Sequence, residues 1–360
     1  MKIIDRYLVK QFLQTILFGL LAFILIFVII DMMENLDDFI DENVPTNIII
    51  QYYVVFIPEI MRLMIPVSVL LSSLFVAGKM SNLNELTALK SSGVTLYRFM
   101  LPFIITSLLI SVLSIYFGGY VVPMANKHKV FIERQHMKKG VVYSGSNIFF
   151  QDTRTRIVSI STYNVNTDQA YRVSIQDFNS KDITKMVGRY DAARMKYDST
   201  SGDWTLFNGS KRIFNGNNER LENFASLTLS DLNFLPEDVI EKQRKNEELN
   251  LDELNYYAAV QLRAGNDPTS ILIEYHSRYA FAFASVITVL FGLPISANNR
   301  KGGLALQFGI NIVITFVYLV VMQISKAFGN NGVTNPFFTA WFANILFFSG
   351  AIINLIKARK

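Results

Sequence analysis

Six apolar stretches, each long enough to cross a bilayer as a helix, constrain this chain more than any other feature of its sequence. A spanning helix needs about 20 mostly apolar residues, because hydrocarbon offers no partner for backbone polar groups. A single stretch of this kind also fits a helix buried in a soluble core, whereas six in one chain favour a membrane protein. The predicted spans cover residues 12–30, 53–77, 99–122, 279–297, 304–324 and 336–356.

The composition agrees with a large lipid-facing surface. Only 18% of the 360 residues are charged, whereas soluble domains carry about 25%. Cysteine is absent, which excludes disulfides and thiolate metal sites. The first apolar stretch is too long for a signal peptide and precedes no small-residue cleavage site, so we expect it to be retained as the first span.

The distribution of Lys and Arg predicts how the spans are oriented. Basic residues occupy alternate short loops, and by the positive-inside rule these loops are cytoplasmic. They are Lys2, Arg6, Lys10, Lys79, Lys90, Arg98, Arg300, Lys301, Lys357, Arg359 and Lys360. The loop after the first span is acidic instead, with Asp31, Glu34, Asp37, Asp38, Asp41 and Glu42. Both termini are therefore predicted in the cytoplasm and the long polar insert outside, so the net charge of +5 indicates topology rather than nucleic-acid binding.

The polar insert is predicted to form an antiparallel β domain. Residues 157–163, 171–178 and 224–229 alternate apolar and polar side chains, and turn-forming stretches separate them. Asn250 with Glu253, and Asp267 before Pro268, have the spacing of helix starts. The predicted fold is thus a six-helix membrane protein with an inserted, jelly-roll-like β domain.

Three domains follow from this organisation. Residues 1–123 are predicted to hold transmembrane helices 1–3, residues 124–278 the outer β domain with its flanking helices, and residues 279–360 transmembrane helices 4–6.

The sequence offers no motif for enzymatic chemistry. It lacks the glycine-rich phosphate loop of nucleotide hydrolases, the H-E-x-x-H zinc motif and the G-x-S-x-G nucleophile motif. We therefore expect no catalytic residue, metal or bound cofactor in this chain.

The cytoplasmic loop between spans two and three reads as a short amphipathic helix over residues 82–92. Ser81 or Asn82 is predicted to cap it, and Gly93 to end it. Leu83, Leu86 and Leu89 share one face, while Glu85 is predicted to project toward a partner. Such a helix either lies on the bilayer surface or docks a cytoplasmic motor subunit, and its periodicity does not separate these hypotheses.

Span two contains two ionisable residues, Glu59 and Arg62, between Pro58 and Pro66. Their spacing of three places them on one helix face, where they can pair. Charges at membrane depth face a protein interior or a cavity. A structural ion pair and a functional cavity lining are both consistent with this pattern.

An ordered set of motifs resembles one known family. The motifs are Asp5-Arg6-Tyr7-Leu8 with Lys10, then residues 84–94, 274–280, 292–294, 302–303 and 341–344. In this order they are similar to the lipopolysaccharide-export permeases LptG and LptF, and the amino-terminal pattern favours LptG. The resemblance implies a multi-pass permease subunit of an ABC transporter in the inner membrane of a Gram-negative-type bacterium, serving outer-membrane biogenesis.

The resemblance also implies partners and sites. Expected partners are a homologous permease or a second copy, a cytoplasmic ATPase dimer that binds ATP and Mg, a periplasmic bridge protein and lipopolysaccharide. Coupling to the ATPase is expected at Asn84, Glu85, Leu86, Leu89, Lys90 and Gly93. The lipid cavity is expected at Asp31, Glu34, Phe56, Glu59, Met61, Arg62, Phe308, Ile312 and Phe316.

One departure from the family pattern concerns the outer end of the first span. Family members can carry basic residues there that meet lipid A phosphates, whereas this chain has Asp31 and Glu34. Bridging divalent cations or a less phosphorylated lipid would reconcile the two. A permease or mechanical transmitter for another lipid or lipoprotein, and a non-transporting membrane scaffold, are the alternative functions.

Overall fold

The computed structural model describes residues 3–137, 148–164, 167–199, 201–215, 218–236, 239, 245–263, 267–298 and 303–357, without the side chains at 150, 215, 295–298, 303–308, 310, 311 and 357. The chain divides into two compact units. One comprises Met1–Val130 with Asn246–Lys360, and the other comprises Phe131–Lys245. The first holds the apolar helices and the second holds the β-strands.

The helices are long and follow the apolar stretches of the sequence. They are α1 (Ile3–Glu34), α2 (Leu36–Asp41), α3 (Thr46–Asn82), α4 (Glu85–Ser91), α5 (Leu96–Tyr116), a π-helix (Phe117–Val121), α6 (Val122–His136), a 3₁₀ turn (Asn246–Glu248), α7 (Leu251–Arg263), α8 (Thr269–Asn298), α9 (Gly303–Asn330) and α10 (Pro336–Lys357).

Six of the described helical segments are long and apolar enough to cross a membrane, as the sequence predicts. They are Ile3–Glu34, Thr46–Asn82, Leu96–His136, Thr269–Pro294, Ile312–Asn330 and Pro336–Ile356. The predicted fold class, six membrane helices with an inserted antiparallel β domain, is confirmed.

The predicted helix starts after the β domain are also confirmed. Asn250 and Glu253 form a reciprocal capping box, in which the Glu253 N–H donates to Asn250 Oδ1 at 2.9 Å and the Asn250 N–H donates to Glu253 Oε2 at 2.7 Å. The Thr269 N–H donates to Asp267 Oδ1 at 2.9 Å. These bonds satisfy amide groups that lack partners in the first turn of a helix.

The largest buried cluster in the helical unit joins α1, α3, α4, α5 and α8. Its members include Leu8, Phe12, Val76, Leu86 and Phe103. Phe12 and Phe103 meet edge to face, with ring centroids 5.0 Å apart. The buried members that α1 contributes lie in its amino-terminal half, while most of the apolar side chains further along this helix are exposed.

A second contact joins α8, α9 and α10 through polar atoms. The Tyr318 hydroxyl donates to Asn344 Oδ1 at 2.7 Å, and Asn344 Nδ2 donates to the Ala280 carbonyl at 2.7 Å. All three residues are buried. Asn344 belongs to a motif that carried the family resemblance, and the structure gives it a packing role.

The strands of the second unit form one antiparallel sheet. They are β1 (Ile148–Thr153), β2 (Arg156–Asn164), β3 (Gln169–Phe178), β4 (Met186–Asp198), β5 (Asp203–Asn215) and β6 (Asn218–Leu229). Each described strand pairs with its neighbour in sequence, in the order β1-β2-β3-β4-β5-β6. The sheet is therefore a meander whose edges are β1 and β6.

A line of interrupted pairing crosses this sheet, and we call it the transverse break. It passes through Ser161, Arg172, Ala193, Asn208 and Ala225, which are skipped where pairing continues on both sides. Arg172 and Asn208 have φ values of 50° and 52°, a left-handed conformation that is unusual for residues other than glycine. Irregularities of this kind bend strands and increase their twist.

The transverse break also resets which residues face the core. In β2 the buried residues before it are Val158 and Ile160, and the next one is Tyr163. This spacing of three replaces the spacing of two that a regular strand requires. Side chains on both sides of the break thus join one core, which includes Trp204 and Phe234.

The boundaries between the compact units and the sequence-based domain boundaries lie at different residues, because they mark different features of the chain. The compact units separate at residues 130/131 and 245/246, so most of α6 and all of α7 group with the membrane helices. The sequence-based boundaries at 123/124 and 278/279 mark where helices leave the membrane, and they stay a prediction.

Candidate functional site

The short helix α4 is held against the membrane helices by its leucines. Leu86 is 4% exposed and belongs to the buried cluster that contains Leu8 and Phe12. Leu89 packs against the same cluster. Fully burying a leucine side chain contributes about 1.5–3 kcal/mol, so Leu86 and, to a lesser extent, the half-buried Leu89 fix the position of α4.

The structure corrects the predicted start of this helix. Asn82 is the last residue of α3, and α4 begins at Glu85 after Asn84, whose φ is 56°. At the other end Gly93 adopts φ 87°, and the Val94 N–H donates to the Leu89 carbonyl at 3.1 Å. The prediction that Gly93 ends the helix is confirmed.

The opposite face of α4 is exposed and made of small or polar residues. Its members are Asn84, Thr87, Ala88 and Ser91, which follow the i, i+3, i+4, i+7 pattern of one helix face. Lys90 and Gly93 are also exposed, and Glu85 is half-buried. Of the predicted coupling residues, Leu86 and Leu89 therefore support the helix from inside, while the other four are accessible to a second molecule.

Two polar contacts fix the helices around α4. Arg98, at the start of α5, makes an ion pair with Asp5 of α1, in which Nη2 lies 2.8 Å from Oδ1 and 2.7 Å from Oδ2. Lys79 donates to Gln11 Oε1 at 3.4 Å. Because charge-assisted hydrogen bonds are stronger than neutral ones, Asp5 has a structural role at this end of the bundle.

The predicted Glu59–Arg62 pair is present, and it belongs to a larger polar cluster. Arg62 Nη2 donates to Glu59 Oε1 at 2.6 Å, and Asn126 Nδ2 donates to Glu59 Oε2 at 2.8 Å. In α8, Glu274 accepts from Arg278 at 3.3 Å and from Lys326 of α9 at 3.4 Å. The five charged residues of this cluster line a cavity between α3, α8 and α9.

Arg278 anchors the chain where it returns from the β domain. Its guanidinium donates to the Leu249 carbonyl at 2.6 Å and to the Asn246 carbonyl at 2.8 Å, and its side chain is 2% exposed. Sequence reasoning missed Arg278, Glu274 and Lys326 as site residues. The spacing of four between Glu274 and Arg278, within an apolar span, was the available signal.

The other predicted cavity residues do not converge on one pocket. Phe56 stacks on Tyr52 and lies under the ammonium group of Lys129, 4.5 Å from the ring centre. Met61 is half-buried in α3, Asp31 is half-buried in α1, and Glu34 is exposed. Ile312 and Phe316 are exposed on α9, and the side chain of Phe308 lies outside the described residues.

The exposed apolar faces of α1 and α9 are a further feature of the helical unit. In the most apolar 18-residue stretch of each helix, only 6% of the residues of α1 and 17% of those of α9 are buried within the chain, against 67% for α8. Leu17, Phe18 and Leu25 on α1 and Phe316 on α9 are among the exposed side chains. These faces are available to lipid or to another membrane subunit.

Metal binding finds no support in the part of the chain that the structure describes. Among those residues, no three His, Asp or Glu side chains are grouped as metal ligands. The acidic residues after α1 therefore do not form a chelating site of that kind by themselves.

Fold and site together define a polytopic membrane protein with a β domain inserted between two three-span halves and a short helix, α4, between the second and third spans. The chain belongs to the family of lipopolysaccharide export system permeases LptF/LptG, whose family model matches residues 6–357.

Individual relatives agree with this assignment. The chain is 21% identical over 359 residues to the lipopolysaccharide export system permease protein LptF of Escherichia coli K12, covering 98% of this chain and 94% of the relative. The LptF proteins of Escherichia coli O157:H7 and Shigella flexneri match to the same extent. The family prediction is confirmed, whereas the sequence-based preference for LptG is not.

Proposed function

We propose that this chain is a membrane subunit that removes lipopolysaccharide from the inner membrane, passes it to a periplasmic bridge and is driven by a separate cytoplasmic ATPase. The observation that carries the proposal is the match of the family model to residues 6–357, which extends across both membrane halves and the β domain. Within this proposal the protein binds no cofactor itself, and ATP with Mg belongs to the ATPase.

The position of α4 supports coupling to that ATPase. A force applied to its exposed face reaches the bundle through Leu86 and Leu89, because both pack in the cluster shared by α1, α3 and α5. Close-packed interiors transmit displacement because they have little free volume. We assign the exposed face, with Glu85 beside it, as the contact surface for the motor subunit.

The open edges of the β sheet support transfer to a bridge. Neither β1 nor β6 has a second partner strand among the described residues. Free strand edges bind an added strand through backbone hydrogen bonds. A periplasmic β protein that continues the sheet at one of these edges would extend the path of the lipid.

The exposed faces of α1 and α9 support pairing with a second permease, either a homologue or another copy of this chain. A cavity for lipid between two such subunits would be lined by Phe56, Met61, Ile312 and Phe316. Comparing the binding of phosphorylated and dephosphorylated lipid A tests the acidic rim. A preference for the phosphorylated form without divalent cations would exclude both bridging cations and a less phosphorylated substrate.

Purification of the tagged chain from its native membrane tests the whole proposal. We expect a soluble ATPase and a second permease to co-purify, and mass spectrometry of the extracted lipid to detect lipopolysaccharide. An ATPase with a different lipid or a lipoprotein would indicate another transport system. Absence of any ATPase would indicate a scaffold.

The substitution Glu85→Arg tests the coupling surface. We expect loss of lipopolysaccharide export and at least a tenfold loss of bound ATPase, since reversing one charge of a close ion pair costs several kcal/mol. Glu219→Arg, on an exposed β-strand residue, is the matched control and should retain the ATPase. Export at the normal rate in Glu85→Arg would exclude a coupling role for this residue.

A further inference from the structure

A polar cavity opens at one end of the membrane helices, between α3, α8 and α9. Its lining includes Glu59, Arg62, Glu247, Glu274, Ser277 and Lys326. Its volume is about 540 Å³. Pockets for small ligands measure about 300–1,000 Å³, so the cavity has room for more than ordered water.

The lining changes from charged to apolar along the helix axes. Glu274 near the start of α8 is followed seven residues later by Phe281, and Lys326 of α9 lies four residues from Met322. At 1.5 Å per residue these steps are about 10 Å and about 6 Å. On α8 and α9 the charged residues lie nearer the helix ends and the apolar ones lie deeper, whereas on α3 the charged Arg62 is adjacent to Leu63. A lining with a charged side and an apolar side suits a molecule with a polar head and an apolar chain.

Hydrogen-bond donors in the cavity remain unused by the described residues. Ser277 is 5% exposed, yet its hydroxyl has no partner there, and neither has Arg62 Nε. Lys326 has three N–H donors and makes one described ion pair, at 3.4 Å. Leaving a buried polar group unpaired costs about 1–3 kcal/mol, so an acceptor with several oxygens, such as a phosphate, would be stabilised here.

The charges of the described lining sum to zero. Three acidic residues (Glu59, Glu247 and Glu274) balance three basic ones (Arg62, Arg278 and Lys326). A purely anionic or purely cationic ligand would therefore meet as much repulsion as attraction. A ligand that carries both signs can place its phosphate on the basic side and its cation beside Glu247, which is exposed at the mouth.

We propose that this cavity binds a phospholipid of the surrounding membrane whose head group carries a phosphate and a primary ammonium. The phosphate lies against Lys326, Ser277 and Arg62. The ammonium faces Glu247, and the start of an acyl chain follows Leu63, Phe281 and Met322. The site is separate from the exported lipid and does not depend on the transport function proposed above.

Native mass spectrometry of the full chain in mild detergent tests the proposal. Phosphatidylethanolamine, phosphatidylglycerol and phosphatidylcholine are added one at a time at equal concentration. We expect one phosphatidylethanolamine per chain, retained about tenfold more than phosphatidylglycerol, because one charged hydrogen bond accounts for about that factor. Equal retention of phosphatidylethanolamine and phosphatidylglycerol would overturn the proposal.

Three variants assign the contacts. Lys326→Gln should lower retention of phosphatidylethanolamine about tenfold, and Ser277→Ala should lower it severalfold without disturbing any described hydrogen bond. Glu247→Gln should keep binding of phosphatidylethanolamine but lose the preference for it over phosphatidylglycerol.

Lys185→Gln, on an exposed lysine of the β domain, is the control. Unchanged retention in both Lys326→Gln and Ser277→Ala, or an unchanged preference in Glu247→Gln, would contradict the assignment.

Discussion

Asn344 illustrates how single polar residues are accommodated between apolar helices in this protein. Its amide bonds the Tyr318 hydroxyl on α9 and the Ala280 carbonyl on α8. Interhelical hydrogen bonds of this kind hold membrane helices together where water is absent. In the sequence Asn344 is marked only as part of a family motif, because nothing in its spacing reveals the two partners.

Removing the Tyr318 hydroxyl tests this contact. We expect Tyr318→Phe to lower the free energy of unfolding by about 1 kcal/mol, because Asn344 Oδ1 loses its donor in a buried site. Denaturant titration in detergent measures the change. Tyr7→Phe, at an exposed tyrosine whose hydroxyl only accepts from Gln11, should change stability by less; equal effects would refute a special role for Tyr318.

In the β domain, Arg156 joins separate segments of the chain through polar contacts, as Asn344 does between the helices. Its side chain contacts Asp177 at 2.6 Å and Asp231 at 2.8 Å. The hydrogen bond from Arg156 holds the pKa of Asp231 below its usual value of 3.8. A carboxylate with a lowered pKa stabilises the folded state above its unfolded-state pKa, and that contribution is lost as the pH falls through the folded-state pKa.

The substitution Asp231→Asn should therefore have a pH-dependent effect. We expect a loss of up to about 1 kcal/mol at neutral pH, since Asp231 is largely exposed, and convergence with the wild type once the pH falls below the folded-state pKa of Asp231. Trp204 fluorescence in a Trp341→Phe background reports on the β domain, because the chain has only two tryptophans. A constant difference across the whole range would exclude the ion pair as its cause.

At the scale of secondary-structure elements, the transverse break is the feature that could not be predicted from the sequence. Alternation correctly predicted strands around residues 157–163 and 171–178, since short-range patterning reports burial of one face. It could not predict that the alternation resets at Ser161 and Arg172, because this reset depends on the register of β3 with both neighbouring strands, which skip Arg172. Positive φ at arginine carries no local sequence signal.

Gly209 tests how closely the strands approach beside the transverse break. A Cβ at this position would collide with the Asp191 carbonyl and lie 2.6 Å from the Phe224 ring. We expect Gly209→Ala to destabilise the β domain by about 1–3 kcal/mol, measured by Trp204 fluorescence during denaturation. In Gly188→Ala, where the nearest atoms are 3.7 Å away, the change should stay within about 0.5 kcal/mol; equal effects would argue against close packing at Gly209.

The helix α4, in the candidate functional site, could likewise be predicted only in part from the sequence. Its existence, its end at Gly93 and its amphipathic character were predictable from spacing and turn chemistry. Which face is free was not, because Leu86 is buried by α1, α3 and α5, which are distant in sequence. Leu86 and Leu89 are predicted to take part in coupling, and their packing in this cluster places them between the exposed face and the bundle; their role in coupling stays a prediction.

At the scale of the whole molecule, the number and order of spans were predictable, since about 20 apolar residues are a strong signal. The cavity with Glu274, Arg278 and Lys326 was not, because it depends on how three helices far apart in sequence meet. Motif order, rather than any single motif, carried the family assignment.

The predicted orientation is testable because the chain contains no cysteine. Leu83→Cys, next to α4, and Ile183→Cys, in the β domain, replace exposed residues. In spheroplasts we expect a membrane-impermeant maleimide to label Ile183→Cys at once and Leu83→Cys only after permeabilisation, because the basic loops are predicted inside. The reverse pattern would place the termini outside.

The transverse break has a consequence for the evolution of the sheet. A one-residue slip or deletion in any of β2 to β5 would move that strand's irregular residue out of line with its neighbours. Register is weakly specified in a regular polar sheet. In this sheet the irregular residues of neighbouring strands lie opposite one another in one register only. Among the described strands, the sheet can thus leave β1 and β6 without a second partner while its interior resists mispairing, and an insertion beside the break in one strand must be matched in its neighbours.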